Sequence, residues 1–406
     1  MVHYRAVGSL PRQRHTQHRD ADGRLLFEEL MGEEGFSSDS SLLHHRGVPS
    51  AIVAAESWSP PAQGLTPNHP LKPRHLLLHQ LVHPDDANAV EHRRLLLGNA
   101  DVRISHVLAV APSPLSRNAV GDECVFVETG HGTVETVFGV LDYRAGDYVV
   151  IPRATTHRWL PAEPSRLYCI EAASHIAPPR RYLSRYGQLL EHAPYCERDQ
   201  HGPRDLEALT AAHAHEVDVP VLVKHRVRAA PGGIGGTVMT AATHPFDVVG
   251  WDGCLYPWTL NIEDYMPITG KVHQPPPVHQ VLEGHNFVVC NFLPRKVDYH
   301  PLAVPVPYYH SNVDSDEVMF YVAGDYEARK GSGIGVGSIS LHPGGHPHGP
   351  QPSAVEASLG AERFEETAVM VDTFAALELG EAGLAVEDPD YAWSWSREPG
   401  DEDGGR

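Results

Sequence analysis

Short apolar runs rich in β-branched and aromatic residues recur along the chain, with glycine and proline between them. The runs 149–151, 287–292 and 318–322 have this composition, which favours β-strands. The 36 glycines and 35 prolines are dispersed as turn residues, and helical periodicity is sparse. The pattern therefore predicts a mainly β protein with a few short helices, and residues 180–192 and 203–215 are the helical candidates.

One arrangement of polar residues occurs twice in the sequence. Each copy reads Asn-x4-Glu-x6-Gly and continues with Gly-x5-Pro-x4-His. The first copy occupies positions 118–130 and 146–157, and the second occupies positions 312–324 and 337–348. Repetition of a unit of this size indicates a repeated supersecondary structure. We interpret it as an internal duplication of one β-barrel module.

The second copy carries the residues of a metal site. His310, Glu317 and His348 would be brought together by adjacent antiparallel strands. Two imidazoles and one carboxylate are the ligand set of a non-haem Fe(II) centre with open coordination positions, where O₂ and an organic substrate can meet. The sequence therefore predicts one iron site, in the second module.

The first copy has lost part of this ligand set. Ser116 stands where the second copy has His310, which leaves Glu123 and His157. Two protein ligands are too few for a tight metal site. We predict that Glu123 and His157 form buried hydrogen bonds and bind no metal.

Composition and charge exclude several classes of protein. The apolar fraction of 41% and the charged fraction of 21% are those of a globular protein. A formal net charge of −20 argues against nucleic acid as a partner, because phosphate neutralisation needs clustered lysine and arginine. The five scattered cysteines indicate neither a disulfide framework nor a zinc ribbon. No apolar run approaches the roughly 18 residues of a membrane span, so we expect a cytoplasmic protein without a membrane partner.

The chain divides into five segments at the sequence level. We predict an N-terminal arm and accessory sheet over 1–100, a first β-barrel module without metal over 101–175, a linker, helix and accessory sheet over 176–265, a second β-barrel module with the iron site over 266–375, and a C-terminal tail over 376–406. Residues 400–406 are rich in glycine and acidic residues, and we expect them to be disordered.

The motifs support a resemblance to known families. Their spacing resembles the two consensus motifs of the cupin (jelly-roll) barrel, with Asn312 where many cupins have a second histidine. Further segments resemble the homogentisate 1,2-dioxygenase family, Fe(II) enzymes of tyrosine and phenylalanine breakdown. These segments are 307–312, 324–329, 337–342 and 347–350, with 35–43 and 250–258 outside the second module. The resemblance implies two cupin-like barrels with iron only in the C-terminal one, assembled as trimers or hexamers in the cytosol.

The same resemblance implies roles for individual residues. It makes His310, Glu317 and His348 the iron ligands, and it makes His273 the acid/base that serves the substrate hydroxyl. Two departures from the family pattern affect this assignment. Ser311 replaces a basic residue, and the glutamate lies one residue further from His310 than in the family, which makes Asp316 a rival ligand. We favour Glu317, because Glu123 has the same place in the first copy.

Four residues are implied on the substrate side of the iron. Tyr326 matches a family tyrosine that contacts the substrate. Arg329 stands where a lysine often lies near the substrate carboxylate. Asn312 and His342 are the remaining candidates for substrate binding. Without the resemblance, Tyr326 could be ordinary packing, and Arg329 could lie on a solvated turn.

The resemblance implies a ring-cleaving dioxygenase that inserts both atoms of O₂ into homogentisate and forms maleylacetoacetate. A first alternative is a dioxygenase of the same fold that acts on another hydroquinone or an aminophenol, which the departures at Ser311 and before Glu317 favour. A second alternative is a non-oxygenase bicupin, either an isomerase or a binding protein. Such a protein would give no reason for His273 and Tyr326 to surround a metal.

Overall fold

A computed structural model describes residues 3–396, and the chain forms two compact units. The N-terminal unit contains the chain up to Gly64 together with His83–Arg94 and Ile104–Asp264. The C-terminal unit contains Leu65–Val82, Leu95–Arg103 and the chain from Tyr265 onward. Residues 400–406, predicted to be disordered, lie outside the described residues. The five-segment division of the chain stays a prediction.

Strands dominate both units. In chain order they are β1 (Arg5–Gly8), β2 (Phe27–Gly32), β3 (Ser40–His45), β4 (Ile52–Trp58), β5 (Leu65–Pro67), β6 (Arg74–Leu77), β7 (Arg94–Gly98), β8 (Val102–Ala109), β9 (Ser116–Asn118), β10 (Glu123–Thr129), β11 (His131–Thr136), β12 (Gly139–Arg144), β13 (Asp147–Ile151) and β14 (His157–Pro161). They continue with β15 (Ser165–Ala172), β16 (Gln200–His201), β17 (Val217–Arg226), β18 (Ile234–Thr243), β19 (Val248–Gly253), β20 (Trp258–Asn261), β21 (Gln280–Gly284), β22 (Phe287–Phe292), β23 (Arg295–Lys296), β24 (Asp316–Gly324), β25 (Ser338–His342), β26 (Arg363–Phe364), β27 (Glu366–Thr373) and β28 (Glu378–Gly380). The predicted mainly β fold is therefore confirmed.

The α-helices are short. They are α1 (Leu206–Ala212), α2 (Ala354–Ala357) and α3 (Glu381–Ala385). Helix α1 lies within the predicted helix 203–215. The predicted helix 180–192 is wrong. Only Arg180–Tyr182 forms a 3-10 turn there, and Gly187 at φ +87° reverses the chain so that Leu183 pairs with Leu189.

In the N-terminal unit two sheets enclose an apolar core. One sheet has the order β12-β11-β14-β9-β17-β18-β4, and the strands β16-β20-β13-β10-β15-β8 of a nine-stranded sheet form the other. Alternate residues of the central strands point inward, as the period of a half-buried strand requires. Val125, Val127 and Trp159 belong to this core and are fully buried. A smaller sheet, β1-β19-β3-β2, completes the unit.

The C-terminal unit is built on a six-stranded sheet with the order β21-β22-β27-β24-β25-β6. The predicted strands at 287–292 and 318–322 are confirmed as β22 and part of β24, as 149–151 is in β13. Strand β24 is central and pairs antiparallel with β25 on one side and β27 on the other.

Among the described residues, no helix combines the length and apolar character needed to cross a membrane.

Candidate metal centre

A short antiparallel ladder brings three predicted ligands together in the C-terminal unit. His310 and His348 pair through their backbones, with both N–H···O distances at 2.9 Å. Glu317 is the second residue of β24 and lies opposite His342 of β25. After β25 the chain turns at Gly345, whose φ of +81° favours glycine, and returns to His348. The side chains of His310, Glu317 and His348 therefore converge.

The distances within this cluster suit a metal ion. Glu317 Oε2 lies 3.6 Å from His310 Nε2 and 3.3 Å from His348 Nε2, and one ligand atom from each residue lies within 4.8 Å of the others. Glu317 and His348 are buried, whereas the His310 side chain is 28% exposed. Burial alone would raise the pKa of Glu317. Hydrogen bonds from His310, His342 and His348 outweigh burial and hold this pKa well below its usual range.

The hydrogen bond behind His310 supports a metal-binding role. Its Nδ1 lies 3.1 Å from the carbonyl oxygen of Tyr308, and a carbonyl only accepts, so Nδ1 carries hydrogen. In a neutral ring Nε2 then presents a lone pair to Glu317, which a cation or an added proton must neutralise. Accordingly, the hydrogen bond to Glu317 raises the pKa of His310. A ligating histidine that donates its other N–H to an acceptor is the usual arrangement in metal sites.

A second His–Glu–His group, in the N-terminal unit, lacks this feature. His213, Glu216 and His244 are also close enough to surround an ion. However, the amide of Phe246 donates to His244 Nδ1 at 3.0 Å, and Arg158 donates to His213 Nε2 at 3.2 Å. The nitrogens that face Glu216 therefore carry hydrogen in the neutral rings and have no lone pair for a metal. We interpret this group as a hydrogen-bonded cluster.

Asp316, the rival ligand, faces away from the cluster. Its two carboxylate oxygens accept hydrogen bonds from the amides of Gly344 and Leu377, each at 2.7 Å. The Asp316 side chain therefore stabilises the turn that precedes His348. The structure thus groups Glu317, and not Asp316, with the two histidines.

A cavity of about 140 Å³ opens onto the cluster at His310 and Glu317. Three further predicted site residues, His273, Tyr326 and Arg329, line it. The remaining walls are mostly apolar and include Ile268, Phe292, Val297, Pro305, Val306, Pro307, Met319, Phe364, Ala368 and Met370. An apolar cavity with a few converging polar groups is the usual form of a small-molecule site.

Two predicted substrate contacts do not reach this cavity. Asn312 and His342 are absent from its walls. The Asn312 carbonyl accepts from the amide of Gly345 at 3.1 Å, within the turn that precedes His348. His342 pairs with Glu317 across the two strands, and residues directly opposite in an antiparallel pair point to the same face. His342 therefore lies beside Glu317, where it is fully buried.

His273 is oriented within the cavity by a carboxylate. Its Nδ1 lies 3.2 Å from Asp298 Oδ2, and its ring contacts that of Tyr308 edge-on at 5.0 Å between centroids. Because Asp298 accepts, Nδ1 donates, and Nε2 of the neutral ring is left with a lone pair. The arrangement leaves His273 able to take a proton from a molecule in the cavity.

Arg329 is a buried cation on the cavity wall. Its Nε donates to the Tyr321 hydroxyl at 3.2 Å, another of its nitrogens donates to the Gly349 carbonyl, and the guanidinium lies 5.8 Å from the centroid of Trp395. Among the residues whose side chains the structure describes, no ion pair joins Arg329 to a carboxylate. By contrast, Arg295 on the same wall is paired with Glu366 at 2.8 Å.

Glu123 and His157, the residues of the first motif copy that correspond to Glu317 and His348, lie near a side-chain cation, Arg93. Arg93 lies 2.8 Å from Glu123 and 3.2 Å from Glu171, and Lys224 lies 2.5 Å from Glu171. Burial opposes ionisation of Glu123, but Arg93 holds its pKa well below its usual range. His157 Nδ1 lies 3.1 Å from a backbone carbonyl, and burial lowers its pKa.

Sequence reasoning missed several groups around the centre. Asp298, Asp372 and Tyr391 come from other segments of the chain. Asp372 lies opposite Glu317 on β27, and burial together with the Glu317 charge raises the pKa of Asp372 to about 8. The one sequence signal for it was an acidic residue that interrupts the apolar run of β27.

Comparisons with known proteins agree with the dioxygenase resemblance. A family model described as homogentisate 1,2-dioxygenase C-terminal matches residues 272–398. A Saccharolobus solfataricus protein named "Putative dioxygenase" is 37% identical over 397 residues, which cover 97% of this chain and 99% of that protein. Homogentisate 1,2-dioxygenases of Caenorhabditis elegans and Emericella nidulans are 28% and 30% identical over 68% and 60% of this chain. The matches span 63% and 53% of those two enzymes.

The similarity to solved structures is weak. A cupin 2 conserved barrel domain protein from Leptotrichia buccalis has a TM-score of 0.32 at 10% identity and covers 75% of this chain and 97% of its own. An oxalate decarboxylase of Bacillus subtilis has a TM-score of 0.34 at 11% identity and covers 79% of this chain and 81% of its own. The family assignment therefore rests on the sequence relatives. The chain belongs to the dioxygenase family that contains the Saccharolobus solfataricus protein, and it is homologous to the homogentisate 1,2-dioxygenases.

Proposed function

We propose that the protein is an Fe(II)-dependent ring-cleaving dioxygenase that inserts both atoms of O₂ into homogentisate and releases maleylacetoacetate. The observation that carries the proposal is one cavity lined by His310 and Glu317 of the His–Glu–His cluster, by a carboxylate-oriented His273 and by a buried arginine. His310, Glu317 and His348 would hold the iron. When bound, it would supply redox chemistry toward O₂ and acidify a ring hydroxyl.

His273 serves the substrate hydroxyl in this proposal. Asp298 accepts the hydrogen of Nδ1 and so fixes the ring with Nε2 available. Nε2 can take the proton of a ring hydroxyl and later return it, while Asp298 stabilises the charged imidazole between the two transfers. Tyr326, buried on the same cavity wall, would contact the ring or its side chain.

Arg329 supports an acidic substrate. A guanidinium that is 9% exposed and forms no ion pair with any carboxylate side chain that the structure describes favours an anion in the cavity beside it, because a buried charge without a directly paired counterion is costly. The carboxylate of homogentisate would meet this requirement. The apolar walls, with Phe292, Met319 and Phe364 among them, suit the aromatic ring.

A related hydroquinone or an aminophenol acid is the second candidate substrate. Arg329 already donates to Tyr321 and Gly349. These two hydrogen bonds limit the positions in which its guanidinium can meet a substrate carboxylate. Ser311 is exposed and brings no charge. The matches to homogentisate 1,2-dioxygenases also span only 63% and 53% of two of those enzymes. The positions of Arg329 and Ser311 are the reason to keep a substrate with another side chain as the alternative to homogentisate.

An oxygen-uptake assay separates the candidates. The protein is loaded anaerobically with Fe(II) and then offered O₂ with homogentisate, gentisate, other hydroquinones and aminophenols. Uptake of one O₂ per homogentisate with ring opening supports the first candidate. Uptake with another compound supports the second, and uptake with none would favour a bicupin isomerase or binding protein. The proposal includes a cytoplasmic homo-oligomer, a trimer or hexamer, which rests on the family resemblance of the sequence.

A further inference from the structure

Two hydrogen bonds in series connect a tyrosine near the end of the described chain to the candidate metal centre. The Tyr391 hydroxyl lies 2.9 Å from His342 Nε2, and His342 Nδ1 lies 3.0 Å from Glu317 Oε1. Tyr391, His342 and Glu317 are 1%, 0% and 5% exposed, so water does not compete for these bonds. The series approaches Glu317 from the side away from the cavity.

The direction of both hydrogen bonds follows from the chemistry of the groups. An ionised carboxylate only accepts, so His342 Nδ1 must donate to Glu317. In a neutral ring Nε2 then carries a lone pair, and it accepts from the Tyr391 hydroxyl. The His342 ring is also stacked on that of His348, with an interplanar angle of 15° and a centroid distance of 4.4 Å. Both the ring plane and the tautomer of His342 are therefore fixed.

The two oxygens of Glu317 have different partners as a result. Oε1 accepts from His342, whereas Oε2 faces His310 Nε2 and His348 Nε2 at 3.6 and 3.3 Å. A carboxylate with one oxygen engaged in this way presents the other in a single orientation. Partners of this kind behind a metal ligand strongly affect metal affinity.

We propose that Tyr391 is a positioning residue of the metal centre, which acts through His342 to hold Glu317 with Oε2 directed at the metal. This inference rests on the proposed function, since it assumes that His310, Glu317 and His348 bind the metal. Tyr391 is not among the residues that line the cavity, and its hydroxyl bonds to His342, which stands between it and Glu317. It begins the 3-10 turn Tyr391–Ser396, which is anchored by the ring contact of Tyr391 with Trp395 at 5.2 Å.

The C-terminal unit provides a matched control. Tyr265 is also buried, and its hydroxyl donates to the Val278 carbonyl at 2.5 Å and lies 3.5 Å from the Gln280 carbonyl. Tyr265→Phe and Tyr391→Phe each remove one buried hydroxyl. They should therefore have similar effects on folding, but only Tyr391→Phe should change the metal centre.

The test measures Co(II) binding to the full chain under anaerobic conditions, by visible absorption in competition with a chelator. Tyr391→Phe should weaken Co(II) binding by about 10-fold, the lower end of the effect of residues that support a metal ligand, and should alter the Co(II) absorption bands. Tyr265→Phe should leave both unchanged. His342→Asn keeps an amide donor for Glu317 but loses the nitrogen that accepts from Tyr391, so it should weaken binding by at least as much.

The double variant decides whether Tyr391 acts through His342. In the His342→Asn background, Tyr391→Phe should cause no further loss, because the connection is already broken. Additive losses, or wild-type affinity in either single variant, would overturn the proposal while leaving the metal centre standing. If the wild-type protein binds no Co(II), or His348→Ala binds it equally well, the metal centre and the role of Tyr391 fail together. His342→Asn provides the same decision if Tyr391→Phe does not fold.

Discussion

Arg93 donates to Glu123 at 2.8 Å in the first copy of the repeated motif, whereas Oε2 of the equivalent glutamate of the second copy, Glu317, faces two imidazoles. The duplicated sequence thus uses the same carboxylate in two ways. One copy neutralises it with a fixed side-chain cation, supported through Glu171 by Lys224. The other leaves room for a cation from solution.

This difference predicts one metal ion per chain. In the N-terminal module, Arg93 supplies the positive charge, and Ser116 offers no imidazole, so Glu123 and His157 should bind no metal. Elemental analysis after loading with Fe(II) or Co(II) and removal of excess metal should give a ratio near one. A ratio near two that falls to one in a Glu123→Gln variant would show that the N-terminal module also binds metal.

Arg93 itself should be essential for the stability of the N-terminal unit. Arg93→Met would leave Glu123 buried beside Glu171 with one cation fewer. Breaking a buried ion pair from one side costs about 3–5 kcal/mol. Urea unfolding should show a loss of this size. The double variant with Glu123→Gln should recover part of it, and a loss no greater in the single variant than in the double one would contradict the prediction.

The ligand assignment predicts a sharp difference between neighbouring acids. His310→Ala, Glu317→Ala and His348→Ala should each abolish retention of Fe(II) and turnover, because each removes one of three protein ligands. Asp316→Asn is the matched control, since Asp316 supports backbone amides and should affect stability more than metal content. Iron retained in Glu317→Ala but lost in Asp316→Asn would reverse the assignment.

The cluster could be predicted from sequence because its spacing is local. The Glu-x6-Gly interval corresponds to strand β24, and the Gly-x5-Pro-x4-His interval contains the antiparallel strand β25 and the turn after it. Glu317 and His348 therefore belong to one hairpin. The contacts made by Asp298 and Tyr391 depend on how distant segments pack, which no spacing encodes. His342 was predicted at the substrate but lies behind Glu317, because strand register decides its position.

A buried histidine between two carboxylates, outside the metal centre, predicts how the free energy of unfolding changes with pH. In the N-terminal unit, His45 Nδ1 lies 2.7 Å from Asp247 and its Nε2 lies 3.0 Å from Glu29. Burial lowers the pKa of His45, but the hydrogen bonds to these carboxylates outweigh it and raise the pKa to about 9. The folded value thus exceeds the unfolded value of about 6.5.

The resulting stabilisation is complete below about pH 6.5 and is lost as the pH rises through about 9, because the folded state then no longer holds the extra proton. Its upper limit is about 3 kcal/mol, from 1.36 kcal/mol per pKa unit. Urea unfolding of the wild type and of His45→Gln at pH 6 and pH 9.5 tests this. The wild type should lose its advantage at the higher pH, and a constant difference between the two proteins would contradict the assignment.

His273 should be needed for turnover but not for iron. It lines the cavity and is held by Asp298 at 3.2 Å, and it does not belong to the His–Glu–His cluster. His273→Asn should therefore retain Fe(II), while turnover drops by about 10²–10⁴-fold, the range typical of positioned proton transfer. Substrate affinity should change by only about 1.5–3 kcal/mol, as expected for one hydrogen bond to a charged group.

Asp298→Asn provides the companion measurement for His273. An asparagine can still accept the Nδ1 hydrogen but carries no charge, so turnover should fall by less than in His273→Asn, and combining the two substitutions should add little to the effect of His273→Asn alone. Single-turnover kinetics of the iron-loaded proteins would separate this loss from weaker substrate binding. Loss of iron in His273→Asn would make His273 a fourth ligand, and turnover near that of the wild type would make it a structural residue of the cavity wall.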